Sequence, residues 1–335
     1  MQNLLDPAIL FFIFGVIAGI VKSNLEVPSS ISRFLSLYLL MALGLKGGFA
    51  LASSGLTPTV SVSIAATVLL AIIIPLLGYF ILKKLVSDFD AAAIAATYGS
   101  VSAVSFVTAI QYLENQHVPY SGHMAAAMAL MESPAIIMAV VFANFLRQKE
   151  LNLNVVVSGS NQAVAMIRPV CGSVSINKIL HESFTDGAQL LLLGAMAIGF
   201  ITGDVGKHAM QPFSGDLFKG MLSFFLLDMG LMTARNICQL QGRSPMLIAY
   251  AILGPLVHAS LAFCLSVLFN LSSGDGTLLM VLAASASYIA VPAVLRYALP
   301  EANPSLYCGL SLGVTFPLNI ICGIPTYAWV AQKFL

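Results

Sequence analysis

Two short runs of hydroxyl-bearing and small residues interrupt otherwise apolar stretches of this chain. One reads Tyr98-Gly99-Ser100-Val101-Ser102-Ala103-Val104-Ser105, the other Ala284-Ser285-Ala286-Ser287-Tyr288-Ile289-Ala290-Val291-Pro292. Gly99 and Pro292 weaken helix continuity, and Pro292, lacking an N–H, suits the first turn of a new helix. If the chain unwinds at Ser100–Ser102 and at Ser285–Ser287, each break opens a half-helix. Its first N–H groups have no partner and carry together about half a positive charge. Serine is a favoured cap there, and the remaining donors can hold an oxyanion. Ser100, Ser102, Ser285 and Ser287 are therefore candidate anion-binding residues, with no Arg or Lys required. The same runs also suit a tight helix–helix seam, the serines bonding back to their own helices.

Ionisable residues inside apolar stretches are rare and point to function. Here they are Glu132, Asp228, Lys46 and, near a boundary, Asp90. Glu132 lies in Leu130-Met131-Glu132-Ser133-Pro134, where Pro134 frees a backbone carbonyl one turn back. A carboxylate beside freed carbonyls suits Na⁺ or a proton; a structural bond to a neighbouring helix is the alternative. Lys46 can pair with Asp228 or snorkel to the interface. His258 is read as a hydrogen-bonded packing residue, with a proton relay as the other option.

The elements that must position these residues follow from composition. The 335 residues are 59 % hydrophobic and 9 % charged, and mean hydropathy is +0.93. Soluble domains carry about 25 % charged residues, so lipid is the natural solvent. At about 20 apolar residues per bilayer crossing, ten spans are expected. The first five are 5–21, 30–52, 59–82, 90–114 and 121–146; the second five are 187–203, 217–234, 245–270, 275–299 and 305–331. The first and sixth are short enough to be tilted or re-entrant. The first follows Asp6 and not a basic segment, so it reads as a retained span. With both termini outside, eleven Lys and Arg fall on inner loops against Lys207, Lys219 and Lys333 outside, a clear positive-inside bias.

The fourth and ninth spans repeat at an offset of 185: Asp90 with Asp275, Ser100 with Ser285, Ser102 with Ser287, Tyr112 with Tyr297 and Pro119 with Pro304. Gly44 in the second span matches Gly230 in the seventh at nearly the same offset. Five spans per repeat force the second copy to enter from the opposite side, the inverted topology of many secondary transporters. The expected fold is thus all-α, with ten transmembrane helices in two inverted five-helix repeats and discontinuous fourth and ninth helices. The repeats occupy 1–146 and 187–335. The segment 147–186, with its β-prone Val155-Val156-Val157, reads as a cytoplasmic linker or a docking site for a cytosolic regulator.

Other classes find little support. The net charge of +1 gives no nucleic-acid footprint. The five cysteines have no CxxC spacing and read as small apolar fillers. HExxH and the P-loop are absent, so neither an enzyme nor a cofactor is expected.

Gly99-Ser100-Val101-Ser102, Glu132-Ser133-Pro134-Ala135 and Ala283-Ala284-Ser285-Ala286-Ser287 resemble the sodium-dependent bicarbonate transporter family of the cyanobacterial carbon-concentrating permease and its bacterial relatives. Pro292-Ala293-Val294-Leu295-Arg296 and Ala302-Asn303-Pro304-Ser305-Leu306-Tyr307 extend the likeness, which runs through nearly all ten spans. The resemblance implies an inner-membrane homotrimer performing Na⁺-coupled bicarbonate symport. A core of spans 3–5 and 8–10 would move against a gate of spans 1, 2, 6 and 7. The anion would sit on Ser100, Ser102, Ser285 and Ser287, and Na⁺ near Glu132, Ser105 and Thr97. A PII-like cytosolic partner regulates some members. The chain departs from the cyanobacterial form in having Tyr288 for an acidic residue and Ala103-Val104-Ser105 for Gly-Ser-Thr. Its central segment is also shorter and less charged. A symporter for larger organic anions, similar to bile-acid transporters, and a non-transporting sensor signalling through the central segment are the alternatives.

Overall fold

The computed structural model describes residues 6–54, 58–157, 187–238 and 244–335. Among them every regular element is a helix. In chain order these are α1 (Pro7–Ile20), α2 (Ser29–Ser54), α3 (Pro58–Leu82), α4 (Asp88–Gly99), α5 (Ala103–Asn115), α6 (His123–Val157), α7 (Gly187–Gln211), α8 (Phe218–Cys238), α9 (Pro245–Leu268), α10 (Ser273–Ala284), α11 (Ala290–Ala298) and α12 (Pro304–Phe334). Six stretches of the described residues are long and apolar enough to cross a membrane. One of them, the 48-residue Leu190–Ile237, holds both α7 and α8. At about 1.5 Å per residue such a stretch far exceeds a hydrocarbon core of about 30 Å. Phe11, Phe14, Phe80, Ile201, Val205 and Leu253 are exposed on the outside of the bundle, as lipid permits and water does not.

The expected interruptions are present. α4 and α10 each run 12 residues, and their landmarks keep one register: Ser87 to Ser272, Asp88 to Ser273 and Ser100 to Ser285 are all 185 apart. Each begins on the same capping device. Ser87 Oγ accepts the Asp90 N–H at 3.1 Å, and Ser272 Oγ accepts the Asp275 N–H at 3.2 Å. Ser-x-x-Asp ahead of an apolar run was a legible start signal.

α4 and α10 start at opposite ends of the molecule. Asp275 takes the Ser121 N–H and hydroxyl, both at 2.7 Å, just before α6. Far down α6, Arg147 grips both Glu301 oxygens at 3.0 Å and the Ala298 carbonyl at 2.9 Å. The Asn303 N–H of the same short loop donates to Asp90 Oδ1 at 2.8 Å. The Arg147 guanidinium holds the Glu301 carboxyl below its usual range. The end where α10 begins and α5 stops is here termed upper, and the end where α4 begins, lower.

Around this centre α1 packs on α8 and α2 on α7, while α3 packs on α4 and α6, and α9 on α10. Glycines let the outer pairs approach closely. A Cβ on Gly48 would stand 2.2 Å from the Met196 carbonyl oxygen and 2.9 Å from Gly199 Cα, so α2 and α7 would have to part. Gly48→Ala is expected to cost about 1–3 kcal/mol through overpacking, seen as a lower thermal midpoint in detergent. Gly194→Ala, whose Cβ meets nothing within 4 Å, should leave the midpoint unchanged or raise it.

Some expectations hold and others need correction. α6, which holds the fifth span, runs on past 146 to Val157; Leu146-Arg147-Gln148-Lys149-Glu150-Leu151 are good helix formers and carry Val155–Val157 with them. The sixth span ends at 203 as expected, with a second helical stretch following directly. Gly203 adopts φ +53° and ψ −138°, which is not helical, so the Gly187–Gln211 range is two helices meeting at a kink there. Lys46 does not pair with Asp228; it bonds Glu114 at 2.9 Å, and Asp228 accepts from the Ser32 hydroxyl. Cys264, Cys308 and Cys322 are free, and Cys264 and Cys322 lie on the outer face. The docking role read for 147–186 falls, from residue 158 on, outside the described residues.

Candidate functional site

Four helix ends meet at the centre. α4 and α10 deliver their C-terminal ends, and α5 and α11 start there across breaks at Ser100–Ser102 and Ser285–Ile289. The second break runs two residues past the expected Ser287. The breaks are stitched by two backbone donors: the Ser102 N–H gives to Ser285 Oγ at 3.0 Å, and the Ser287 N–H to the Thr97 carbonyl at 2.9 Å. Thr97, Ser100, Ser102, Ser105, Ser285 and Ser287 are all buried, none more than 4 % exposed. The structure thus gathers six of the seven predicted residues at one closed crossing. The seventh, Glu132, is half-buried on α6, a helix that packs against α4, α10 and α11.

A count of hydroxyl protons shows which serines can still donate. Ser285 Oγ gives its proton to the Leu282 carbonyl at 2.9 Å while accepting from Ser102, so it is committed to the scaffold. Ser102 Oγ accepts twice, from the Ser105 N–H and the Ser105 hydroxyl, both at 3.1 Å. Its own proton reaches only the Tyr288 hydroxyl at 3.4 Å, longer than a good O–H···O bond. Ser287 Oγ accepts the Val291 N–H at 3.3 Å and keeps its proton. Ser100 Oγ is buried with no partner. The hydroxyls of Ser100, Ser102 and Ser287 thus keep protons at the buried crossing, beside the starts of α5 and α11, where the Ser105 and Val291 N–H groups are already capped. That chemistry suits an oxyanion.

The last helix supplies a supporting layer that sequence reasoning missed. α12 loosens into π-helical turns over Gly309–Thr315 and Asn319–Gly323, a feature frequent at functional sites. Asn319 Nδ2 donates to the Ala284 carbonyl at 2.7 Å, holding the end of α10, and its Oδ1 accepts from the Tyr327 hydroxyl at 3.1 Å. Thr315 gives its only proton to the Ala251 carbonyl at 2.7 Å, so Tyr98 must be the donor in their 2.6 Å bond. The signal was Thr315-Phe316-Pro317-Leu318-Asn319, polar residues around a proline in an apolar span. His258 packs edge-on to Tyr98 with its Nδ1 unpartnered, so the expected hydrogen bond is not made at that nitrogen.

Above the crossing a cavity of about 690 Å³ is bordered by Lys46, Lys207, Lys219, Glu114 and Asp216. The Lys46–Glu114 pair ties α2 to the end of α5 and is braced by the Tyr120 hydroxyl, 3.0 Å from Glu114 Oε1. Burial first, and then the Glu114 carboxylate, push the Tyr120 phenol upward, so it stays a donor.

No curated protein matches the chain. A family profile described as the Na⁺-dependent bicarbonate transporter superfamily matches residues 7–332, a range that takes in both broken helices and every serine of the crossing. The likeness drawn from the motifs therefore holds along almost the whole chain, and this multi-pass membrane protein belongs to the Na⁺-dependent bicarbonate transporter superfamily.

Proposed function

We propose that the chain is a secondary transporter that couples Na⁺ to inward movement of a small monovalent anion, bicarbonate first among the candidates. The observation that carries this reading is the crossing itself: two half-helices begin at one buried point, and Ser100, Ser102 and Ser287 there still have protons to give. Bicarbonate would accept from these hydroxyls and from the first-turn N–H groups of Ala103 and Ala290. Ser285 would act by holding the Ser102 N–H in place. An Arg or Lys at this depth would cost about 2.5–3.5 kcal/mol; fixed dipoles avoid that. Na⁺ would sit toward the carbonyl ends of α4 and α10, with Thr97, Ser105 and the Glu132 carboxylate as its oxygen sources. The tight packing of the crossing favours a small anion over larger carboxylates.

In this reading ten spans form two inverted repeats. A core of α3–α6 and α9–α12 would rock against a gate of α1, α2, α7 and α8, both termini lying outside the inner membrane. The Lys46–Glu114 pair spans the two units and would part as they move. A homotrimer and a PII-like partner at the 147–186 segment fit the same picture. One Na⁺ with one monoanion moves no net charge, so the Na⁺ gradient and not the membrane potential would drive uptake. Labelled-bicarbonate uptake into proteoliposomes should follow an inward Na⁺ gradient and reverse with an outward one. Indifference to Na⁺ would remove the coupling.

A further inference from the structure

A second upper cavity, of about 280 Å³, opens between α1, α5, α8 and α12. Asp6, Thr108, Gln111, Tyr112, Asn115 and Gln116 supply polar groups, and Asp6 is the one ionised residue among those lining it. Its hydrogen bonds fix the direction of two amides, those of Asn115 and Gln111. Asn115 Nδ2 donates to Asp6 Oδ2 at 2.8 Å, and Lys219 Nζ donates to Asn115 Oδ1 at 3.1 Å. A carboxylate only accepts and an ammonium only donates, so the Asn115 amide has one possible orientation. Gln111 Nε2 then donates to that same Oδ1 at 2.9 Å, which turns Gln111 Oε1 the other way. That oxygen is buried and has no partner. One turn nearer the crossing, Thr108 spends its proton on the Val104 carbonyl at 2.8 Å and can offer only lone pairs. Lys219 itself lines the neighbouring lysine-bearing cavity and not this one.

We infer that this cavity is a binding site for a monovalent hard cation of Na⁺ size, a waypoint above the crossing that uses Gln111 Oε1, the Asp6 carboxylate and Thr108 Oγ1. An anion would meet the Asp6 charge, the Thr108 lone pairs and the Gln111 carbonyl oxygen. One carboxylate among neutral oxygens suits a monovalent ion, and the volume leaves room for retained waters. Gln111 borders both upper cavities. The cation and the anion would therefore approach the crossing by separate, adjacent routes of opposite character. This inference rests on the cation-coupled reading above and adds a site away from the crossing.

The test uses the full-length purified protein with NaCl against choline chloride at constant ionic strength. ²³Na NMR line broadening gives the apparent Na⁺ affinity, and proteoliposome uptake gives KM for Na⁺ and for bicarbonate. Gln111→Leu is expected to weaken Na⁺ about tenfold, as for loss of a contact to a charged group, with KM for bicarbonate unchanged. Gln111→Glu adds a charge at the same point and should tighten Na⁺, a gain that a purely structural role would not produce. Unchanged Na⁺ affinity in both variants would overturn the site and leave the carbonyl to a water. A parallel change in the bicarbonate KM would also overturn it. If uptake proves indifferent to Na⁺, the transport reading falls alone. The NMR comparison of wild type, Gln111→Leu and Gln111→Glu would still decide the cavity.

Discussion

Ser102→Ala raises the KM for bicarbonate about tenfold or more, the expected loss when a buried hydroxyl no longer donates to an anion. The same substitution removes the cap on the Ser105 N–H, for about 1 kcal/mol of stability, so folding must be followed separately by thermal denaturation in detergent. Ser102→Thr keeps the hydroxyl and should retain most of the affinity. Ser285→Ala provides the contrast. Its proton is already given to Leu282, so it should lose stability and turnover through the freed Ser102 N–H more than through direct contact with the anion. Equal bicarbonate affinity in Ser102→Ala and wild type would show that the anion binds elsewhere.

The second large effect is expected at Asn319→Leu. This side chain is 1 % exposed and joins the Ala284 carbonyl to the Tyr327 hydroxyl. Leucine fills a similar volume but strands both partners in a dry interior, at about 1–3 kcal/mol each. The stranded carbonyl lies at the end of α10, one residue before the crossing, so uptake should fail along with stability. Tyr327→Phe removes one bond and strands only Asn319 Oδ1, so its loss should be smaller. If both variants unfold at the same point, the Asn319–Ala284 bond does not hold the end of α10.

The breaks were legible because serine and glycine in an apolar span leave few other readings, and because two such runs share one offset. That offset survives in the structure down to the capping serines. What sequence could not reveal is which distant residues meet. Glu114 lies 68 positions from Lys46, and Ser32 lies 196 from Asp228. Nothing in local pattern selects such partners; the packing of α2 on its neighbours does. The π-helical turns of α12 were hidden for a different reason. A π turn needs one extra residue accommodated by its surroundings, and Gly309, Gly313 and Gly323 are as compatible with an ordinary helix seam. Proton bookkeeping at the crossing also lay beyond sequence, since Ser285 and Ser102 are alike in type and differ only in what surrounds them.

A structure of the protein loaded with Na⁺ and bicarbonate tests the central claim most directly. It should show a planar anion within about 2.5–3.2 Å of the Ser100 and Ser102 hydroxyls and of a first-turn N–H of α5 or α11. An anion bound at another place, with this crossing still closed upon itself, would contradict the account.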